Sequence, residues 1–235
     1  MAGSGLHWPP TPLLDNTCAV DTNANSTESS KQDPFSTEAI NPTDPIDPLP
    51  CFHAWFAEAR ALEPNDPDAM ALATATPEGV PSVRMVLLKE VTADASFVFY
   101  TNAQSRKGLE IRANPHVGLC LHWKSLRRQV RIEGLASEVP SEQADAYFHS
   151  RARGSQIGAL ASDQSRPLID RATLEARAAE IAALYPEEIP RPSYWTGFAV
   201  YAQAIEFWRS RSDRLHDRML YTRISGGWSR SLLYP

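Results

Sequence analysis

The sequence predicts a mainly antiparallel β protein with inserted helices, closed into a complete or split β-barrel. Three observations lead there. Short apolar or alternating runs recur with turn signals between them. Helical periodicity appears between groups of strands. No Gly-rich loop follows a strand, so neither a dinucleotide-binding fingerprint nor a P-loop is present. Closing the sheet is the natural way for short alternating strands to avoid exposed edges.

Order is expected to begin at Pro50. Phe52, Trp55, Phe56 and Ala59 fall on one helical face, and Pro64 ends that helix. Ala69–Thr76 and Val80–Lys89 flank Pro77-Glu78-Gly79, a turn signature, and predict a hairpin. Ser96–Thr101 is a third strand. Gln104–Ala113 is a short helix with Asn102 as its expected cap. His116–Trp123 and Arg128–Glu138 read as a second antiparallel pair. Two or three helices cover 141–184. Strand text returns at Ala199–Trp208 and Met219–Ile224, and Gly226-Gly227 turns the chain into Trp228–Leu233.

Charge divides the chain in two. Residues 1–50 hold one cation, Lys31, against seven acids, a net of −6. Residues 51–235 hold 22 Lys+Arg and 21 Asp+Glu, a net of +1, so the whole-chain −5 describes the N-terminal segment. Residues 1–48 also hold seven of the 19 prolines and the Asn/Ser/Thr-rich stretch from Asn23 to Ser30. Such text buries too little apolar surface to offset its ordering entropy. A disordered acidic tail over 1–48 and one domain over 49–235 are expected, with a docked arm as the alternative.

Several classes fall away. No apolar run approaches the roughly 18 residues of a membrane span. No secretory or transit segment is expected, since no Arg precedes Arg60 and no basic region leads an apolar run. Cys18, Cys51 and Cys120 share no metal-ligand spacing and read as thiols in a reducing, cytoplasmic setting. The six histidines show no ligand spacing either.

The cations carry the chemical information. Arg84 and Lys89 bracket Met85-Val86-Leu87-Leu88; five apart on a strand, they face opposite sides and serve different groups, unless both are merely solvated strand ends. Arg106-Lys107 lie in the first turn of a helix, where cations are unfavourable unless an anion binds. Tyr147 and Arg151 are four apart on one helical face and, with Ser155, form a candidate three-donor cradle for a dianion. Arg209 to Arg218 hold four arginines and His216 in ten residues, either an exposed basic loop or an anion site with a titratable imidazole. Arg127-Arg128-Gln129-Val130-Arg131 lacks a stacking-aromatic motif, so nucleic acid is not an expected partner. Clusters on separate elements point to two bound anions.

These motifs resemble the pyridoxamine 5′-phosphate oxidase family. The resemblance runs from about Asp47 to Pro235. It rests on Arg84-Met-Val-Leu-Leu-Lys89, Phe99-Tyr-Thr-Asn-Ala-Gln-Ser-Arg-Lys107, Arg128-Gln-Val-Arg-Ile-Glu-Gly134, Tyr147 to Gly158, Gln164-Ser165, and Phe207-Trp208 followed by Arg214-Leu-His-Asp-Arg218, all in family order. It implies an FMN-binding split β-barrel, homodimeric, with FMN at the subunit interface. On that likeness Arg84, Met85, Val86, Leu87, Leu88, Lys89, Tyr100, Thr101, Arg106, Lys107, Gln129, Gln164, Ser165, Trp208 and Arg218 contact FMN. Lys89, Tyr147, Arg151 and Ser155 hold the substrate phosphate, and Arg214, Leu215 and His216 lie against the substrate ring, with Arg214 and His216 as catalytic residues. The implied reaction oxidises pyridoxamine or pyridoxine 5′-phosphate to pyridoxal 5′-phosphate, with oxygen giving hydrogen peroxide. Two alternatives share parts of this pattern. A non-catalytic split-barrel binder of FMN or pyridoxal phosphate has no need of Arg214 and His216. A flavin oxidoreductase with another substrate has no need of Tyr147, Arg151 and Ser155. The family's N-terminal arm carries an Arg and a Tyr; here no Arg precedes Arg60 and no Tyr precedes Tyr100. The family's usual C-terminal Arg is replaced by Leu in Leu232-Leu233-Tyr234-Pro235.

Overall fold

The computed structural model describes Phe35 and residues 46–235. The tail expected to be disordered over 1–48 otherwise lies outside the described residues. Phe35 is half-buried against the core, its ring 6.3 Å from Trp55 and beneath the Arg209 guanidinium at 4.6 Å.

Helix α1 spans Leu49–Leu62, one residue earlier than expected, because the Asp47 carboxylate accepts the Leu49 N–H at 3.0 Å and Pro50 suits the first turn. Its apolar face carries Phe52, Trp55 and Ala59, all buried. Phe52 meets Phe97 edge-on at 5.0 Å and Trp55 meets Phe207 edge-on at 5.3 Å. Such buried rings contribute a few kcal/mol each, so truncating either to Ala costs about 3–5 kcal/mol. The helix stops before Pro64, as expected.

Among the described residues, nine antiparallel strands form one sheet. They are β1 (Ala69–Ala75), β2 (Pro81–Leu87), β3 (Glu90–Val91), β4 (Ser96–Asn102), β5 (His116–Trp123), β6 (Arg128–Glu138), β7 (Trp195–Arg209), β8 (Asp217–Ile224) and β9 (Gly227–Leu232). The order is β2-β1-β5-β6-β7-β4-β3, with β8 pairing β7 and β9 pairing β8. The predicted hairpin forms, and Gly79 takes φ +83° in its turn. β7 starts four residues earlier than predicted, at Trp195, because Trp195–Val200 pair with β4. Its second half pairs with β8 instead. One long strand thus shares one edge between two neighbours, which curls the sheet into a split barrel. A bulge helps. The β6–β7 register shifts at Glu133/Gly134, where a Cβ on Gly134 would lie 2.3 Å from the Tyr201 carbonyl oxygen.

The helices between strands are α2 (Arg106–Ala113), α3 (Ser141–Ser150), α4 (Arg153–Ala161) and α5 (Arg171–Leu184). Ser105, not Asn102, caps α2: its hydroxyl accepts the Gly108 N–H, while Asn102 Oδ1 accepts the Gln104 N–H in the preceding turn. Gly108 permits this tight entry, since a Cβ there would meet the Ala103 carbonyl oxygen at 2.3 Å. Among the described residues, no helix is long and apolar enough to cross a membrane.

Candidate active site

A cleft of about 660 Å³ opens where the end of β2, β4, the start of α2 and the α3–α4 junction converge. Its wall is an aromatic stack. Tyr100 and Tyr147 lie parallel with centroids 3.9 Å apart, and Trp195 lies parallel to Tyr100 at 5.5 Å. Gly197 leaves room for it, because a Cβ there would come within 2.7 Å of the Tyr100 ring.

Tyr147, Arg151 and Ser155 all line this cleft, but not from one helix. α3 ends at Ser150, whose hydroxyl donates back to the Tyr147 carbonyl at 2.8 Å, and Arg151 and Ala152 are extended. Buried Gln156 holds the break by donating to the Arg151 carbonyl at 2.8 Å. The break aims the first turn of α4, with Ala152 and Ser155, into the cleft. Arg151 stacks over Trp195 at 4.9 Å, and its Nη1 is buried with no hydrogen-bond partner. Burial presses this guanidinium below its ordinary pKa. This leaves a guanidinium donor in the cleft available to an anionic ligand.

Lys107, from the first turn of α2, is a second such cation. It is buried, and its Nζ donates to the Gln164 Oε1 at 2.8 Å, to Thr101 Oγ1 at 3.2 Å and to Ser105 Oγ at 3.2 Å. No carboxylate lies among these partners. Burial, with repulsion from Arg84, lowers its pKa to about 8. Met85, Val86, Leu87 and Lys89 complete the lining, with Lys89 paired to Asp68 at 2.7 Å.

Other predicted residues lie elsewhere in the chain. Arg84 and Lys89 do serve different groups: Arg84 pairs with Glu110, which also takes the Nε edge of Arg106, and neither arginine lines the cleft. Leu88 is in the core. Ser165 is exposed beside Gln164 with φ +71°. Gln129, Trp208, Arg214, Leu215, His216 and Arg218 gather at the far end of β7, thirteen positions along the strand from Trp195, up to about 40 Å if extended. There Trp208 lies 4.6 Å from His216, and His216 Nδ1 accepts the Arg211 N–H at 3.2 Å. Asp213 and Arg214 adopt successive positive φ values of 56° and 61°, a strained turn that projects exposed Arg214 and Leu215. Arg218 is clamped by Glu206 at 2.7 and 3.1 Å, and Arg209 and Arg211 share Asp217.

The other basic text is neutralised internally. Arg128 pairs with Glu58 at 2.7 Å, and Arg131 with Glu206 at 3.1 Å. Among the described residues, no group of three or more His, Cys, Asp or Glu could hold a metal ion. Sequence reasoning missed Trp195 and Glu110. The i,i+4 spacing from Arg106 to Glu110 was the available signal for the second.

Fold and cleft together define a split-barrel protein with two cations that lack carboxylate partners in an aromatic-walled cleft. Residues 56–185 match the family model described as pyridoxamine 5′-phosphate oxidase, and 195–235 match the pyridoxine 5′-phosphate oxidase C-terminal dimerisation region. The chain belongs to the pyridoxamine 5′-phosphate oxidase family. A pyridoxine/pyridoxamine 5′-phosphate oxidase of Sphingopyxis alaskensis is 60% identical over 190 residues, covering 80% of this chain and 88% of that one. One of Granulibacter bethesdensis is 52% identical over 215 residues, covering 89% of this chain and 100% of that one. Among solved structures, PhzG from Burkholderia lata 383, in complex with tetrahydrophenazine-1-carboxylic acid, is 32% identical with a TM-score of 0.76 over 84% of this chain and 98% of its own. A pyridoxamine 5′-phosphate oxidase-related FMN-binding protein from Nostoc punctiforme, 17% identical with a TM-score of 0.67 over 81% of this chain and 99% of its own, shares the fold. The family is one of oxidoreductases that use a flavin.

Proposed function

We propose that this protein, in the cytoplasm, oxidises pyridoxamine 5′-phosphate and pyridoxine 5′-phosphate to pyridoxal 5′-phosphate with oxygen as acceptor, in a homodimer that holds FMN at its interface. The observation that carries the reading is the pair Lys107 and Arg151: buried Lys107 and half-buried Arg151, whose buried Nη1 has no partner, lie without carboxylate partners in one cleft and match two phosphates. The residues present fit FMN, with Arg106, Lys107, Gln164 and Ser165 at its phosphate and Met85–Lys89, Tyr100 and Thr101 along it. Bound FMN supplies the redox chemistry, taking two electrons from the substrate's C4′ and passing them to oxygen. Overall, amine, oxygen and water give aldehyde, ammonia and hydrogen peroxide; the alcohol and oxygen give aldehyde and hydrogen peroxide.

The chain's own residues bind and orient. Arg151, Tyr147, Ser155 and Lys89 grip the substrate phosphate, remote from C4′, and convert binding energy into position. Arg214, Leu215 and His216 of a second copy close over the substrate ring, and Gln129, Trp208 and Arg218 of that copy complete the flavin contacts. Support for this division comes from their distance along β7 and from the match of 195–235 to a dimerisation region. The exposed apolar face of β2, with Val83 and Met85, offers a surface for the second copy. His216 presents Nε2 as its free donor because Nδ1 is already an acceptor. The test is turnover of pyridoxamine 5′-phosphate with added FMN, followed by oxygen uptake and aldehyde absorbance. A protein that binds no flavin and stays inactive after FMN addition overturns the reading.

A further inference from the structure

Behind the cleft lies a carboxylate that no part of the reading above uses. Glu110, on α2, has a side chain only 7% exposed and touches three elements. Its Oε1 accepts Arg106 Nε at 2.8 Å. Its Oε2 accepts Thr74 Oγ1 from β1 and Ser82 Oγ from β2, each at 2.5 Å, and faces Arg84 Nη2 at 3.4 Å. Arg84 is tied down further, with Nη1 donating to the Leu72 carbonyl at 3.0 Å and to Thr74 Oγ1 at 2.6 Å, and Nη2 donating to Ser82 Oγ. Burial pushes the Glu110 carboxyl up, but hydrogen bonds from Ser82, Thr74 and Arg106 outweigh it and hold it at about 2. The group is therefore a carboxylate at every working pH.

The charge count around it is unbalanced. Arg84, Arg106 and Lys107 repel one another in turn, Arg84 acting on Lys107 and Arg106 on Arg84. Against three cations there is one carboxylate, so the cluster keeps a surplus of two positive charges, the charge of a phosphate near pH 7. Glu110 takes only the Nε edge of Arg106. The terminal Nη pair, on a side chain 58% exposed, is left for a ligand.

We infer that Glu110 is a positioning residue for the flavin phosphate: it holds Arg106 and Arg84 from behind, so that the guanidinium fork of Arg106 is preset before the phosphate arrives. The inference rests on the FMN reading above. It opposes what charge alone predicts. Removing a carboxylate near a phosphate site would strengthen anion binding by simple Coulomb attraction. If presetting dominates, removal weakens it, because a long, rotamer-rich arginine must then be ordered by the ligand.

The experiment compares FMN with riboflavin, which lacks the phosphate, by flavin-fluorescence titration of the full-length, flavin-stripped chain. For Glu110→Gln, the FMN dissociation constant should rise about tenfold while that of riboflavin stays within about twofold. A proportional loss for both flavins, an unchanged ratio, or tighter FMN binding overturns the inference. Glu110→Asp, which keeps the charge but withdraws the carboxylate by one methylene, reads the same ratio should the glutamine variant not fold; an unchanged ratio there overturns it equally. A wild-type chain that binds neither flavin overturns the functional reading itself.

Discussion

The two ends of β7 hold their cations in opposite ways. Near Trp195 the cleft keeps buried Lys107 and half-buried Arg151 without carboxylate partners, and burial lowers the pKa of both. Near Trp208 every arginine facing the strand is paired: Arg209 and Arg211 with Asp217, Arg218 and Arg131 with Glu206. Arg214, the second of two successive left-handed residues, stands apart in an exposed turn. The difference teaches how one chain divides a site. On the proposed function, the cations left unneutralised in the cleft are those that meet phosphate, and the cations paired around the β7–β8 turn shape a loop that meets a second copy.

The comparison is broken or sharpened most by Arg214. Arg214→Met removes the outward charge but none of the cleft. Turnover should fall about 10²–10³-fold with flavin still bound, and a normal rate would end the assigned role. Arg151→Ala comes next. It removes the orphaned donor and its stack on Trp195, and kcat/KM for the phosphorylated substrate should fall about 10²-fold, chiefly through KM. A loss confined to kcat would contradict a binding role.

Lys107 gives a pH test of smaller size. Its pKa is lowered, so the flavin-free fold carries a cost for the charged form that is relieved as pH rises from about 8 toward the unfolded value. A bound phosphate favours the ammonium, so binding takes up a proton above pH 8. FMN affinity should therefore fall above about pH 8, approaching tenfold per unit, in a titration at constant ionic strength. Flat affinity across pH 7–9.5 would show that Lys107 does not meet the phosphate. The smallest effect is expected at Arg211. Its pair with Asp217 is half exposed, and Arg211→Ala should cost about 0–1 kcal/mol in thermal unfolding and leave flavin affinity unchanged.

Much of this was legible in the sequence because it depends on local pattern. Phe52, Trp55 and Ala59 lie on the predicted helical face, the Pro77-Glu78-Gly79 turn closes the predicted hairpin, and the cationic clusters gave the site's charge before its shape. What was missed depends on nonlocal geometry. Tyr147 and Arg151 read as neighbours on one helical face; α3 instead ends at Ser150, with the Ser150 back-bond and the Gln156 side chain at the break, and all three donors line the cleft from either side of it. Trp195 is invisible as a site residue until β4 pairs with β7 and places it beside Tyr100. Glu110 looks like half of a surface i,i+4 pair, yet the β1–β2 hairpin covers it. The separation of Arg214 and His216 from the cleft follows from the length of β7, whose first residues carry no alternating pattern.

That separation is the central claim, and mixed dimers test it most directly. Arg151→Ala damages only the cleft and Arg214→Met only the far end. If each site joins the cleft of one copy to the β7–β8 turn of the other, a mixed dimer holds one site with both lesions and one with neither. Unfolding and refolding the two impaired variants together at equal amounts should then restore about a quarter of wild-type turnover, assayed at substrate well below the wild-type KM, where each variant alone is nearly silent. Mixtures that stay as inactive as their separate components would contradict a site shared between two copies.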